Sequence, residues 1–159
     1  MRLLLIGDGK MGRAIEQLAR ERGHAVVAVL GERENADGDA VATHAAAADV
    51  AIEFTEPGSA RSNVAACIGA GLAVVTGTTG WYDALPEVER EVRARDGALF
   101  WSPNFSLGVA LAIEVARQAG AIFAAHPQFD VHLVETHHRA KKDAPSGTGP
   151  PWPRPPGTR

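Results

Sequence analysis

The chain has a single cysteine, Cys67, among its 159 residues, so no internal disulfide can form. It lies in the apolar run "NVAACIGAG" with no base nearby, and a buried core thiol is expected there rather than a nucleophile. No stretch approaches the ~20 apolar residues that a membrane-spanning helix needs. The start, "MRLLLIGDG", holds too few apolar residues for the core of a signal peptide, and a cytoplasmic location is the expectation. The basic residues form no long run and the net charge is −3, which gives nucleic acid no footing as the main partner. What remains is an ordinary composition, 45% hydrophobic and 22% charged, sufficient for one core.

Along the first 125 or so residues, strand and helix patterns alternate. Short apolar runs predict strands over residues 2–7, 25–30, 49–55, 72–77 and 98–102. Helical spacing of Met11, Ala14, Ile15, Leu18 and Ala19 predicts a helix buried along that face and closed by Gly23. Further helices are expected near 58–70, 83–95 and 106–125, the last apolar nearly all round and therefore well buried. Strands apolar on both faces and joined by helices imply a parallel sheet covered on both sides. "FDVHLVET", residues 129–136, alternates with period two and reads as a strand of something new, so a boundary is placed near Pro127. From Gly149 to Arg159 five of eleven residues are proline, and that tail is expected to be disordered.

"GDGKMG" matches G-x-G-x-x-G between an apolar strand and an amphipathic helix. Gly7 permits the turn, Gly9 lets backbone approach a pyrophosphate, and Gly12 lets the helix pack on the strand. The helix N-terminus adds N–H groups and partial positive charge. This predicts a Rossmann-type, doubly wound α/β domain over residues 1–127. At the end of the second strand, Glu32 is the candidate for the adenine ribose and Arg33 for a 2′-phosphate, which leaves NAD and NADP both open. "GTTG" (77–80) and "SPNFS" (102–106) fall on successive strand ends and together suggest a nicotinamide pocket. Asn104 would bond the carboxamide and Phe105 would pack on the ring.

"ETHHRAKKDAPSGT", residues 135–148, gathers histidines, lysines and a small-residue turn. Adjacent strand histidines point to opposite faces, so a metal site is not expected. Arg139, Lys141 and Lys142 lack the interleaved aromatics of a nucleic-acid surface. The better reading is an anionic substrate beside proton donors, with "PSGT" opening a helix end able to hold a carboxylate. Hydride would come from a nicotinamide and the proton from His or Lys.

This stretch strongly resembles E-x-H-H-x-x-K-x-D-x-P-S-G-T, the motif of the 4-hydroxy-tetrahydrodipicolinate (dihydrodipicolinate) reductase family. "GDGKMG", "EFTEP", "GTTG" and "SPNFSLGV" follow the family's order, and the resemblance covers residues 1–148. It implies NAD(P)H-dependent reduction of a cyclic imine-type dicarboxylate in diaminopimelate and lysine biosynthesis, with loss of water from the 4-hydroxy precursor. It implies no metal and a homotetramer. By position it implies that His137 is the proton donor/acceptor and Lys141 the proton-donating lysine. His138, Gly147 and Thr148 would hold substrate carboxylates. Gly7, Asp8, Gly9, Lys10, Met11 and Gly12, with Gly77, Thr78, Thr79, Ser102, Pro103, Asn104 and Phe105, would form the cofactor loops. Residues 128–148 would begin an incomplete α+β substrate and tetramerisation domain, and 149–159 would be a non-family tail. Family members continue beyond this motif, so the expectation is a truncated or frame-shifted chain with weak to moderate binding of reduced cofactor and little turnover. Two other readings are another NAD(P)-dependent dehydrogenase and a nonenzymatic nucleotide-binding module.

Overall fold

The computed structural model describes residues 1–35, 39–126, 128–129 and 134. The chain divides into two compact units, Met1–Ser102 and a second beginning at Pro103. In the first, five parallel strands are ordered β2-β1-β3-β4-β5: β1 Arg2–Ile6, β2 Ala25–Leu30, β3 Val50–Glu53, β4 Val74–Thr76 and β5 Leu99–Trp101. They alternate with α1 Lys10–Glu21, α2 Asp39–Ala45, α3 Pro57–Gly69 and α4 Leu85–Ala94, the last preceded by a 3-10 turn at Tyr82–Ala84. This is the expected doubly wound parallel sheet.

The run "LLLI" in β1 is continuous because both faces of the strand are buried. Leu3 and Leu5 pack with Ile15 and Ala19 of α1. Leu4 and Ile6 face the larger core, shared with Val41 of α2, Val64 and Cys67 of α3, and Val88. Cys67 is fully buried, as expected. Burial and then the Glu53 charge push its thiol up to about 12, so it stays protonated and inert.

Several expectations are corrected. The outer strand β2 is only half-buried up to Leu30, because an edge strand lacks a neighbour on one side. On α1 the buried positions are Gly12 and Ala19, while Met11 and Leu18 are about half exposed. Close approach selects the small residues for the sheet and leaves the long ones outside. The helix α2 was not expected: "DAVATHA" is seven residues long, too short to show a period. In the second unit, α5 spans Leu107–Phe123 with Ser106 as its N-cap, accepting the Val109 N–H. None of its residues is buried, contrary to expectation, and Leu107, Leu111, Val115 and Ile122 form an exposed stripe. The strand expected over 129–136 and the tail 149–159 lie outside the described residues, Phe129 and Val134 excepted.

One ion pair ties β1 to the start of β3. Asp49 accepts the Arg2 backbone N–H and its guanidinium, both at 2.6 Å. The Arg2 side chain, then its N–H, hold the Asp49 carboxyl below the usual range. A depressed carboxyl stabilises the fold above its unfolded pKa, and that contribution disappears as pH falls through the folded value. Acid unfolding followed by circular dichroism should therefore separate wild type from Asp49→Asn above about pH 4 and show convergence below it. Parallel curves throughout would remove this pair from the acid response.

Candidate functional site at the sheet switch point

Strand order reverses direction between β1 and β3, and the carboxyl ends of these strands open the crevice where doubly wound sheets take ligands. Gly7–Gly12 leaves β1 there. Gly7 has φ +111°, and its N–H donates to the Leu30 carbonyl at 2.8 Å. A methyl on Gly12 would lie 1.9 Å from the Gly7 carbonyl oxygen, so α1 rests directly on the turn. A methyl on Gly9 would meet nothing within 4 Å. Gly9 thus faces open space, and the two crowded glycines lie where backbone meets backbone. The first N–H groups of α1 have no partner within the helix and point to this end. Asp8, Lys10 and Met11 are exposed around it.

After β2 the chain turns through Gly31–Asn35, closed by the Asn35 N–H on the Gly31 carbonyl at 3.1 Å. Glu32 and Arg33 are exposed in this turn. Gly31 stands where an acidic side chain was sought, but the site is not short of carboxylates. A methyl there would lie 2.7 Å from Glu34 Oε2 and 3.0 Å from Asp8 Oδ2. The sequence reading missed Glu34, which lies outside the motif's usual spacing.

Gly77, Thr78 and Thr79 follow β4. The Phe54 ring covers Gly77 so closely that an added methyl would fall 2.1 Å from it. Thr78 is buried, and its carbonyl accepts the Trp81 indole N–H at 2.8 Å. Ser102 continues the β5 side, its N–H on the Thr76 carbonyl at 3.3 Å. Within the second unit, Asn104 Oδ1 accepts the Ser106 N–H at 2.7 Å, and Phe105 is exposed. His137, His138, Lys141, Gly147 and Thr148 lie outside the described residues.

The sequence reading also missed a buried polar chain beneath these loops. Glu53, at the end of β3, is fully enclosed. It accepts the Thr55 N–H and the Thr78 hydroxyl, each at 3.0 Å, and the hydroxyls of Thr55 and Thr76. Asn63 Nδ2 donates to Thr55 Oγ1 at 3.2 Å, and Asn35 Nδ2 donates to Asn63 Oδ1 at 2.7 Å. The available signal was a glutamate inside the apolar strand "DVAIEFT", where charge breaks the pattern.

Residues 1–105 match the family described as "Dihydrodipicolinate reductase, N-terminus", and 108–150 match "Dihydrodipicolinate reductase, C-terminus". The chain belongs to the dihydrodipicolinate reductase family. A 4-hydroxy-tetrahydrodipicolinate reductase of Christiangramia forsetii is 34% identical over 149 residues, covering 93% of this chain and 60% of the relative. One from Beutenbergia cavernae is 41% identical over 152 residues, covering 93% and 58%. The chain thus spans about 60% of the length of these relatives. Its fold is similar to a dipicolinate-bound dihydrodipicolinate reductase from Paenisporosarcina sp. TG-14. The TM-score is 0.68 and the identity 25%, over 93% of this chain and 62% of that one. The glycine loop, "EFTEP" and "GTTG" meet at one crevice in the first unit. No described helix is long and apolar enough to cross a membrane.

Proposed function

We propose that this chain provides the dinucleotide-binding domain of an NAD(P)H-dependent 4-hydroxy-tetrahydrodipicolinate reductase acting in the diaminopimelate route to lysine. The observation that carries this is the Gly7–Gly12 turn at the switch crevice, open at Gly9 and tightly packed at Gly7 and Gly12. A bound reduced nicotinamide would supply the hydride. The Gly7–Gly12 backbone, with Lys10 and Met11 beside it, would hold the pyrophosphate end, and Asp8, Glu32 and Arg33 would border the ribose end. Gly77, Thr78 and Thr79 would border the nicotinamide, with Ser102, Pro103, Asn104 and Phe105 as the further cofactor residues the motif implies. His137 and Lys141 would deliver the proton, and His138, Gly147 and Thr148 would hold the carboxylates of a small dicarboxylate. The whole reductase of which this domain is part would be a cytoplasmic homotetramer.

The carboxylates of Asp8, from the turn after β1, and Glu34 both approach Gly31 at the end of β2, and the two together outweigh the single Arg33 guanidinium in favour of a ribose hydroxyl over a 2′-phosphate. NADH should bind several-fold more tightly than NADPH, with the gap narrowing as salt is added.

The test is a coupled assay in which the hydroxy-dicarboxylate is generated in situ and oxidation of either cofactor is followed by absorbance. Slow substrate-dependent oxidation is expected, and Lys141→Met should lower it by a further factor of about a hundred or more. Equal rates in the variant would remove Lys141 from the chemistry. A chain that binds neither cofactor would end the dinucleotide reading.

A further inference from the structure

Among the described residues, Glu53 is the only charged side chain that is buried. An isolated carboxylate in such a place is costly, and it is retained only when donors surround it. The donors here are uncharged: one backbone N–H and three threonine hydroxyls. Each hydroxyl turns its hydrogen inward to Glu53, which leaves its oxygen to accept from outside. Thr78 Oγ1 accepts the Thr55 N–H at 2.8 Å, and Thr55 Oγ1 accepts from Asn63. The carboxylate therefore sets the direction of the whole chain of hydrogen bonds.

Two arms leave it. One runs through Thr55 and Asn63 to Asn35, which closes the turn carrying Glu32 and Arg33. The other runs through Thr78 into the Gly77–Gly80 loop, where Trp81 anchors the Thr78 carbonyl. We propose that Glu53 is a positioning residue for both ends of the dinucleotide site. Through Asn35 it fixes the turn facing the adenosine half, and through Thr78 the loop facing the nicotinamide half. This rests on the dinucleotide reading above. It adds that one enclosed group, out of reach of the ligand, sets the affinity for both halves.

Glu53→Gln keeps the shape and removes the charge. Its amide can donate to Thr76 Oγ1 while its oxygen still accepts from Thr55 and Thr78. Asn35→Ala cuts the adenosine arm at its half-buried outer end and leaves Glu53 in place. Binding of NADH, ADP-ribose and nicotinamide mononucleotide to the full chain would be measured by NMR titration, well below each protein's melting temperature. Glu53→Gln should weaken all three, NADH by about tenfold. Asn35→Ala should weaken ADP-ribose by a similar factor and leave nicotinamide mononucleotide unchanged. A purely structural role would lower the melting temperature and leave these constants alone. Unchanged constants in both folded variants, or in Asn35→Ala alone if Glu53→Gln does not fold, overturn the inference. Failure of wild type to bind NADH overturns the dinucleotide reading, and this inference with it.

Discussion

Gly12→Ala should abolish measurable dinucleotide binding and cost the fold about 3 kcal/mol. The added methyl would sit 1.9 Å from the Gly7 carbonyl oxygen and 2.8 Å from the Gly7 carbonyl carbon. Both atoms are backbone, so no rotamer change relieves the overlap. The first turn of α1 must move away from the end of β1 and take its N–H groups with it. Gly9→Ala is the informative partner, because its methyl meets nothing within 4 Å. That variant should keep its stability to within about 1 kcal/mol yet bind the cofactor more weakly, since the methyl enters the space of the ligand. Calorimetric titration with NADH and urea unfolding would separate the two effects. Tight NADH binding by Gly12→Ala would show that the turn does not hold the pyrophosphate.

Leu4→Ala should be the most damaging truncation in the core, at about 2–5 kcal/mol. Leu4 is fully buried on a strand with neighbours on both sides, and it packs among residues of the α2–α3 side of the core. The strands on both sides of β1 are held by hydrogen bonds and cannot collapse into the space. The midpoint of urea unfolding should fall with little change in slope. Leu107→Ala removes the same atoms from a side chain that is 73% exposed and should stay within about 0.5 kcal/mol of wild type. Comparable losses at the two positions would mean that the stripe on α5 is covered in solution.

The architecture was legible because parallel strands covered on both faces must be largely apolar, and "LLLI" in β1 says so without reference to its neighbours. The glycine loop was legible for a similar reason: spacing alone encodes which glycine touches backbone and which faces open space. Legibility stopped where the outcome depends on a second element. Nothing in "AVVAVL" reveals that β2 lies at an edge. The apolar surround of α5 could not show whether anything lies over it. Glu53 was passed over because its meaning lies in Thr76, Thr78 and Asn63, which are remote in sequence and reach it only after β3, β4 and α3 have assembled. Glu34 was missed because a motif names one acidic position, while the Gly31–Asn35 turn brings another residue to the same point.

The strand order also carries a history. Among these strands β1 is made before β2, but its other edge has no partner until β3 is made and Leu3 can pair with Val50. Synthesis therefore passes through an interval in which a very apolar strand is only half clothed. Closing that edge also creates the crevice, since β1 and β3 are its two walls. The addition of β4 then brings Thr76 and Thr78 to Glu53. Once Gly80 has joined, every part of the crevice in the first unit that precedes β5 is present. A nascent chain of that length would already offer a nucleotide most of its grip, and the ligand could act as a brace while the remaining strand is still being made.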